Sequence, residues 1–264
     1  MFSGILKKMR TELDETVQYF LQLNEKLDMN HFLGKDIVLQ WDGRIVCSCC
    51  GNQTKKSFGE GFCYSCFVKA PEASECIIRP ELCRAHLGEG RDVEWELQHH
   101  NVPHVVYLAA SDIVKVGVTR STQIPTRWID QGASAAIRLA ETPNRFEAGI
   151  LEVALKSFFS DKTNWQRMLK NEIDPTIDLI HQKWELHDQL PSDLTVYFSE
   201  NDEVIEINYP VIEYPNKVVS LGFEKNADVS GILKGIKGQY LIFENGNVFN
   251  IRKHTGYSVN LMLR

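Results

Sequence analysis

Residues 105–159 read VVYLAASDIVKVGVTRSTQIPTRWIDQGASAAIRLAETPNRFEAGILEVALKSFF, and this stretch decides the fold. Its first part contains two short runs, 105–109 and 114–119, that are rich in β-branched and apolar residues. The second run alternates valine with other side chains, so both runs predict strands. Ser111 and Asp112 supply a turn between them, and the short connection favours an antiparallel hairpin.

The second part of the stretch predicts a helix, a third strand and a second helix. Pro125 suits the start of a helix, because its missing N–H would have no intrahelical partner there, and Gly132 ends that helix. The run AAIRLA (135–140) follows as a strand. Asn144 is a good N-cap residue, and apolar residues recur at helical spacing after it. The predicted order is therefore β-β-α-β-α.

Two short motifs and two charged residues fall on these elements. VVY (105–107) lies on the first strand and KVG (115–117) on the second, with Arg127 on the first helix and Glu152 on the second. On these residues the stretch resembles the GIY-YIG nuclease superfamily, and within it the members whose second motif begins with lysine. The resemblance covers about 55 of the 264 residues.

The resemblance implies metal-dependent hydrolysis of phosphodiesters and a role for each matching residue. Tyr107 would aid activation of the attacking water, Arg127 would bind the phosphate, and Glu152 would hold a Mg²⁺ or Mn²⁺ ion. Gly117 would let the backbone approach the site closely. Lys115 stands where most members have tyrosine, and it could contact phosphate as a point charge.

Seven cysteines lie close together in the sequence, and four of them have the spacing of two zinc knuckles. Cys47 and Cys50 are separated by two residues, as are Cys63 and Cys66, with twelve residues between the pairs. Four thiolates at this spacing can bind a structural zinc ion. Cys49 lacks the required spacing and is predicted not to be a ligand. A reduced cysteine cluster or redox pairs are the alternatives.

A second, smaller set follows the first. Cys76, Cys83 and His86 could supply three ligands to a second zinc ion, and buried free cysteines beside an ordinary histidine are the alternative. Because this segment is poor in large aliphatic residues, zinc would have a structural role. The candidates for a fourth ligand are His99, His100 and His104.

The whole chain resembles an uncharacterised bacterial family known only as a domain of unknown function. Members of that family carry the same cysteine ribbon, a run like PELCxAHxGxxRDxxW (here residues 80–95), and the strings VKVGVT and QIPTRW. This second resemblance implies no activity.

The two ends of the chain predict small β modules. Asp42-Gly43 and Asn245-Gly246 each lie between apolar runs, which predicts a hairpin at each. The string SGILK occurs near both ends. Two similar half-barrels, one barrel closed by both ends, or chance would each explain that repeat.

The predicted fold class is α+β with several modules. Strands are expected near the N-terminus, where a helix over 10–24 is the competing interpretation, and helices are expected over 163–172 and 175–190. The predicted segments are an N-terminal β module (1–46), a zinc-binding segment (47–103), a GIY-YIG-like domain (104–170), a helical connector (171–192) and a small β barrel-like C-terminal module (193–264).

Composition narrows the class of protein. Hydrophobic residues at 43% and charged residues at 24% are ordinary for a soluble globular protein. No apolar run approaches the roughly 20 residues that a membrane span needs, and no secretory signal is recognisable. We therefore expect a cytoplasmic protein without a membrane partner, whose cysteines bind metal and do not form disulfides.

The charge distribution bears on nucleic-acid binding. The net charge of −6 argues against non-specific coating of nucleic acid. However, residues 44–91 hold seven Lys/Arg and five Asp/Glu, and residues 104–170 hold nine and six. These two segments could present a local phosphate-binding surface, although an ordinary solvated surface has the same composition.

The sequence therefore predicts a zinc-containing protein that binds DNA or RNA and cleaves phosphodiesters with Mg²⁺ or Mn²⁺. The first alternative is a catalytically inactive DNA- or RNA-binding module, because the first motif has Val105 in place of glycine and the second has Lys115 in place of tyrosine. The second alternative is a protein-interaction scaffold whose acidic β ends contact a partner.

Overall fold

The computed structural model describes residues 1–159 and 164–264, in which the chain forms fifteen β-strands and six α-helices. Residue 163, the first of the predicted helix 163–172, lies outside the described residues. The strands are β1 Phe2–Ile5, β2 Arg10–Glu12, β3 Gln18–Gln22, β4 Lys26–Asp28, β5 Asp36–Val46, β6 Gln53–Thr54, β7 His104–Ala110, β8 Val114–Arg120, β9 Ala135–Thr142, β10 Val204–Glu206, β11 Val219–Leu221, β12 Asp228–Lys237, β13 Tyr240–Phe243, β14 Asn247–Asn250 and β15 Tyr257–Leu263. The helices are α1 Tyr64–Lys69, α2 Val93–His100, α3 Thr126–Asp130, α4 Arg145–Leu155, α5 Trp165–Leu169 and α6 Leu179–His187.

The contacts between Cα atoms divide the chain into two compact units. The predicted α+β fold class is confirmed, because several sheets and a few helices coexist. The division into five segments stays a prediction. Across residues 1–159 and 164–264, every helix is too short or too polar to cross a membrane.

Unit 1 comprises Met1–Val68, Ile129–Gly132 and Ile207–Arg264, and unit 2 comprises Lys69–Trp128 and Ala133–Glu206.

Unit 1 is built on an eight-stranded sheet that joins strands from both ends of the chain. The strand order is β1-β15-β5-β12-β13-β14-β11, with β6 paired to β5. Its pairs are antiparallel except β11 with β14, which is parallel. The described strands form an open path and do not close the barrel-like module predicted for residues 193–264. Instead, β12 and β15 both pair with the N-terminal strand β5, so that the C-terminal strands share one sheet with the N-terminal segment.

The predicted hairpin at Asp42-Gly43 is wrong, because β5 runs straight through both residues. Its pairing with β15 shifts register here, so that residues 41–45 of β5 face only residues 257–259 of β15. Gly43 adopts a positive φ of 88° within this bulge. Asp42 then accepts hydrogen bonds from both Arg44 and the Ser258 hydroxyl. The turn residues therefore make a bulge that keeps β5 on β15.

Two other local predictions for unit 1 are confirmed. The hairpin at Asn245-Gly246 joins β13 and β14 in antiparallel register, and Gly246 has the positive φ that such a turn requires. Near the N-terminus, β2, β3 and β4 form a separate three-stranded antiparallel sheet. Strands, and not the competing helix over 10–24, are therefore the structure of this region.

Unit 2 contains a four-stranded antiparallel sheet of order β10-β9-β7-β8. The elements β7, β8, α3, β9 and α4 follow one another in the predicted β-β-α-β-α order. Asn144 caps α4 as predicted, because its side chain accepts a hydrogen bond from the Glu147 N–H at 3.0 Å. Helix α4 packs its apolar side on the sheet, and the core there includes Val106, Leu108, Leu139, Leu151 and Leu155.

The part of unit 2 that precedes β7 has little regular structure before α2. It consists of four single-turn 3-10 helices, at Pro71–Ala73, Glu75–Ile77, Pro80–Leu82 and Ala85–Leu87. Helix α2 then begins at an N-cap, where the Asp92 carboxylate accepts a hydrogen bond from the Trp95 N–H at 3.0 Å. Glu96 and His100 are the buried residues of α2.

Candidate functional site

Unit 1 brings together the four cysteines whose spacing predicts a zinc ribbon. The sulfur atoms of Cys47, Cys50, Cys63 and Cys66 all lie within 4.8 Å of one another, a separation compatible with a shared metal ion. Cys49 is exposed and lies outside this group. The four cysteines could therefore hold a structural zinc ion.

Two turns position these four sulfurs. The first turn leaves β5 at Val46 and returns as β6, with Cys47 and Cys50 between the two strands. Gly51 adopts a φ of 72° there and donates its N–H to the Cys47 carbonyl. The second turn brings the chain into α1, which carries Cys66. Glycine is needed in the first turn because its φ lies in the left-handed region.

Backbone N–H groups already stabilise one thiolate of this group. Burial raises the pKa of Cys47, but N–H donors from Cys50 and Cys63 outweigh that effect and bring its pKa to about 6. The Cys63 N–H lies 3.2 Å from the Cys47 sulfur. Hydrogen bonding to Cys63 raises the pKa of Cys66. Since zinc binds thiolates, metal binding would release the remaining thiol protons.

The second predicted zinc set is only partly brought together. Cys76 and Cys83 are buried in one group, and the other members of that group are Glu96 and His100. His86 lies outside the group and stacks on Phe146. Of the three histidines considered as a fourth ligand, the structure places only His100 with the cysteines. His99 bonds through Nδ1 to the Trp95 carbonyl and His104 to the Val102 carbonyl.

Glu96 is a member of this group that the sequence did not predict. A signal for it exists, because Glu96 and His100 are four residues apart and such residues share one face of a helix. The prediction weighed cysteines and histidines alone, whereas a glutamate on a helix is usually a solvated residue. Here the Glu96 side chain is only 4% exposed.

Tyr107 of the first motif and Gly117 of the second face each other on the paired strands β7 and β8. An added Cβ on Gly117 would lie 2.6 Å from the Tyr107 hydroxyl oxygen. The tyrosine side chain therefore crosses the neighbouring strand in space that only glycine leaves open. The edge of the Trp128 ring meets Tyr107 with ring centroids 5.9 Å apart. Tyr107 is a packed residue, with 1% of its surface exposed.

Lys115 lies two residues before Gly117 on β8, on the same face of the strand. Its side chain is half-buried. Burial lowers the pKa of Lys115, and the charge of Asp112 opposes that shift. The charge of a half-buried lysine is partly shielded from bulk water. It therefore attracts an anion more strongly than the charge of a fully exposed lysine does.

Arg127 and Glu152 lie in one electrostatic neighbourhood. Arg127 is in α3, immediately before Trp128, and Glu152 is in α4. Burial raises the pKa of Glu152, and the nearby charge of Glu81 raises it further. Lys156, Arg145 and Arg127 act in the opposite direction. Of these three cations, Arg127 acts most weakly on Glu152.

Glu81 is a further carboxylate at this site that sequence analysis did not identify. Its Oε1 accepts a hydrogen bond from Arg79 at 3.2 Å, whereas its buried Oε2 has no hydrogen-bond partner among the described residues. The 3-10 turn that carries Glu81 packs closely on α4, because a Cβ on Gly149 would clash with the backbone of Pro80 and Glu81. Buried carboxylate oxygens without donors are uncommon in proteins.

A cavity of about 660 Å³ in unit 2 lies elsewhere. Its lining includes Val114, Phe159 and Leu186 together with Asp112 and Glu185. None of the five residues assigned to catalysis lines it. The cavity is therefore not the site that the motifs predict.

These observations define an α+β protein with a four-cysteine group that could hold structural zinc. Residues 34–259 match the family described as "Protein of unknown function (DUF2797)", and the chain belongs to that family. The match confirms the whole-chain resemblance predicted from the sequence, and it assigns no activity. No curated protein and no solved structure matches the chain.

Proposed function

We propose that unit 2 binds nucleic-acid phosphates and cleaves phosphodiesters with Mg²⁺ or Mn²⁺, as a GIY-YIG-like nuclease would. The observation that carries this proposal is the shared electrostatic neighbourhood of Arg127, Glu152 and Glu81. In phosphoryl transfer an arginine side chain can bind the phosphate, and carboxylates can hold a divalent metal ion.

The residues present fit a divalent cation. Mg²⁺ prefers carboxylate oxygens together with water and phosphate. Glu81 Oε2 has no hydrogen-bond partner among the described residues and could serve as a metal ligand near Glu152. The raised pKa of Glu152 reflects a carboxylate that is buried near another carboxylate. A bound divalent cation would polarise the phosphate and favour deprotonation of water.

The protein's own side chains would do the remaining work. Arg127 would bind the phosphate and offset the negative charge that develops on its oxygens. The Tyr107 hydroxyl would point over Gly117 of the edge strand β8. Contacts with β8 and with the Trp128 ring would hold the tyrosine in that orientation. Lys115 would add a positive charge on the same face of β8.

The experiment is an assay of the full chain on panels of single- and double-stranded DNA and RNA. Each substrate is incubated with Mg²⁺, with Mn²⁺ and with a chelator. We expect metal-dependent cleavage that falls by about 10²-fold or more in Glu152→Gln and in Arg127→Ala. Cleavage that persists in Glu152→Gln would exclude the proposed mechanism.

Matched controls come from an exposed ion pair in the same unit. Arg167 and Glu172 pair at 2.9 Å on and just after α5, and they belong to no candidate site. Arg167→Ala and Glu172→Gln should retain full cleavage. Binding without cleavage in every panel would favour the inactive binding module, and neither binding nor cleavage would favour the scaffold.

A further inference from the structure

Unit 2 contains a second group of side chains with the donor atoms of a zinc site. Cys76, Cys83, Glu96 and His100 are all buried, and their ligand atoms lie within 4.8 Å of one another. The His100 Nδ1 atom is 3.7 Å from the Cys76 sulfur and 3.6 Å from the Glu96 Oε2 atom. We propose that these four residues bind a second zinc ion.

The chemistry of the group favours a cation at its centre. Two thiols, a carboxylate and an imidazole are all groups that bind zinc, and here their ligand atoms converge on one place. A divalent cation among them would offset the negative charge that such ligands carry when they bind a metal.

Neighbouring groups orient the donors as they do around bound metals. The Arg91 N–H donates to Glu96 Oε1 at 2.9 Å, so that Oε2 is the oxygen directed at His100. Gly90 lies directly over this carboxylate, because a Cβ there would clash with it. Such outer contacts fix the orientation of ligands before a metal binds.

The apolar core beside this group is small. Among the described residues it comprises Cys76, Cys83 and Ala85, with Phe146 packed against it. Ile78 and Leu87 nearby are largely exposed. A structural metal commonly adds stability where a core is this small.

The donor set identifies the metal and its role. Two sulfurs, one imidazole nitrogen and one carboxylate oxygen suit four-coordinate Zn²⁺. All four positions are filled by protein, so that no coordination position remains for substrate. The ion would therefore be structural. It would also fix the Cys76 backbone, whose carbonyl accepts a hydrogen bond from Arg145 Nε at 2.9 Å.

Metal analysis of the full chain, purified under reducing conditions, tests the assignment. We expect two zinc ions per chain in the wild type, one in Cys83→Ser, and one in His100→Ala. His86→Ala is the matched control and should keep two, because His86 stacks on Phe146 away from the group. Loss of one zinc in His86→Ala but not in His100→Ala would overturn the assignment.

A spectroscopic measurement covers the case in which these variants do not fold. Cys66→Ser removes one ligand from the four-cysteine group in unit 1 and leaves the second group intact. We expect the metal-free Cys66→Ser protein to bind Co²⁺ tightly at one site, with tetrahedral d–d bands. Its thiolate-to-cobalt absorption should be about half that of a four-thiolate site, because two cysteines contribute. Absence of tight Co²⁺ binding in this variant would refute the second site.

Discussion

The hydroxyl of Tyr107 occupies the space that a side chain at Gly117 would need. The two residues face each other on adjacent antiparallel strands, and an added Cβ would approach the hydroxyl oxygen to 2.6 Å. The tyrosine of the first motif and the glycine of the second are therefore sterically coupled: the tyrosine ring fits only because position 117 has no side chain. The direction of the Tyr107 ring depends on the absence of a side chain at position 117.

Gly117→Ala should therefore displace Tyr107 and destabilise unit 2. Overpacking of this kind costs roughly 1–3 kcal/mol in a well-packed interior. The measurement is the free energy of unfolding in urea. The control is the same substitution in a Tyr107→Leu background, where the crowding atoms are gone. An equal loss in both backgrounds would show that the tyrosine is not the cause.

Glu152→Gln should stabilise the metal-free protein at neutral pH while it abolishes cleavage. The folded-state pKa of Glu152 is raised by burial, so its charged form is less favourable in the folded chain than in the unfolded chain. The wild type therefore loses stability as the pH rises through the carboxylate range, and the glutamine variant does not. Urea unfolding at pH 4 and pH 7.5 with a chelator present measures this difference.

The wild type and Glu152→Gln also test, without an activity assay, whether the site binds Mg²⁺ or Mn²⁺. A bound ion stabilises the folded state by about 1.4 kcal/mol at ten times its dissociation constant. We expect Mg²⁺ or Mn²⁺ to raise the stability of the wild type but not of Glu152→Gln. Glu172→Gln is the control, because hydrogen bonds from Lys170 and Arg167 lower the pKa of Glu172. That variant should lose stability slightly and keep the metal response.

Cys50→Ser and Cys49→Ser should differ by one zinc ion per chain. Cys50 belongs to the four-cysteine group and its neighbour Cys49 does not. Loss of one thiolate from a closed zinc site removes most of its affinity, whereas an exposed thiol contributes nothing to it. The zinc content of each variant is measured after incubation with a chelator and gel filtration. Equal zinc content in the two variants would contradict the proposed ligand set.

Acid should destabilise unit 2 in part through His104. The imidazole is fully buried, and desolvation lowers its pKa from 6.5 to about 4. Because the folded pKa is the lower one, the unfolded chain binds more protons, and stability falls as the pH drops from about 6.5 to about 4. The shift corresponds to roughly 3 kcal/mol at the acid end.

His104→Asn should reduce this pH dependence. Asparagine can donate a hydrogen bond to the Val102 carbonyl, as His104 Nδ1 does at 2.7 Å, but it does not titrate. The free energy of unfolding is measured from pH 7 to pH 4 for both proteins. His181→Asn provides the comparison, because the His181 side chain is 68% exposed. A parallel pH profile for the wild type and His104→Asn would show that another group is responsible.

The elements that were predicted correctly are those whose causes are local. Asn144 begins α4 because its side chain reaches the Glu147 N–H within one turn. Asn245-Gly246 makes a hairpin because the positive φ of Gly246 is available to glycine in any context. The order of β7 to α4 follows from apolar periodicity, which is likewise a property of short segments.

The features that were missed depend on distant partners. Asp42-Gly43 has the composition of a turn, yet β15 pairs on both sides of it and keeps the strand continuous. Glu96 is of a residue type usually found at the surface, yet it is buried beside Cys76 and Cys83, which lie much earlier in the chain. Glu81 becomes relevant to Glu152 only because Gly149 lets its turn approach α4. In each case a residue far away in sequence decides the outcome.

The order of strands in the eight-stranded sheet has a consequence for synthesis on the ribosome. Strand β5 is complete at Val46, but both of its long neighbours, β12 and β15, are made after residue 227. Until then most of β5 lacks its partner strands, because β6 pairs only with Ile45 and Val46, and unpaired apolar strand edges favour aggregation. The sheet of unit 2, by contrast, is complete once Glu206 has been made. Unit 1 therefore begins first and finishes last, and β5 waits longer for its long partner strands than any strand of the unit 2 sheet does.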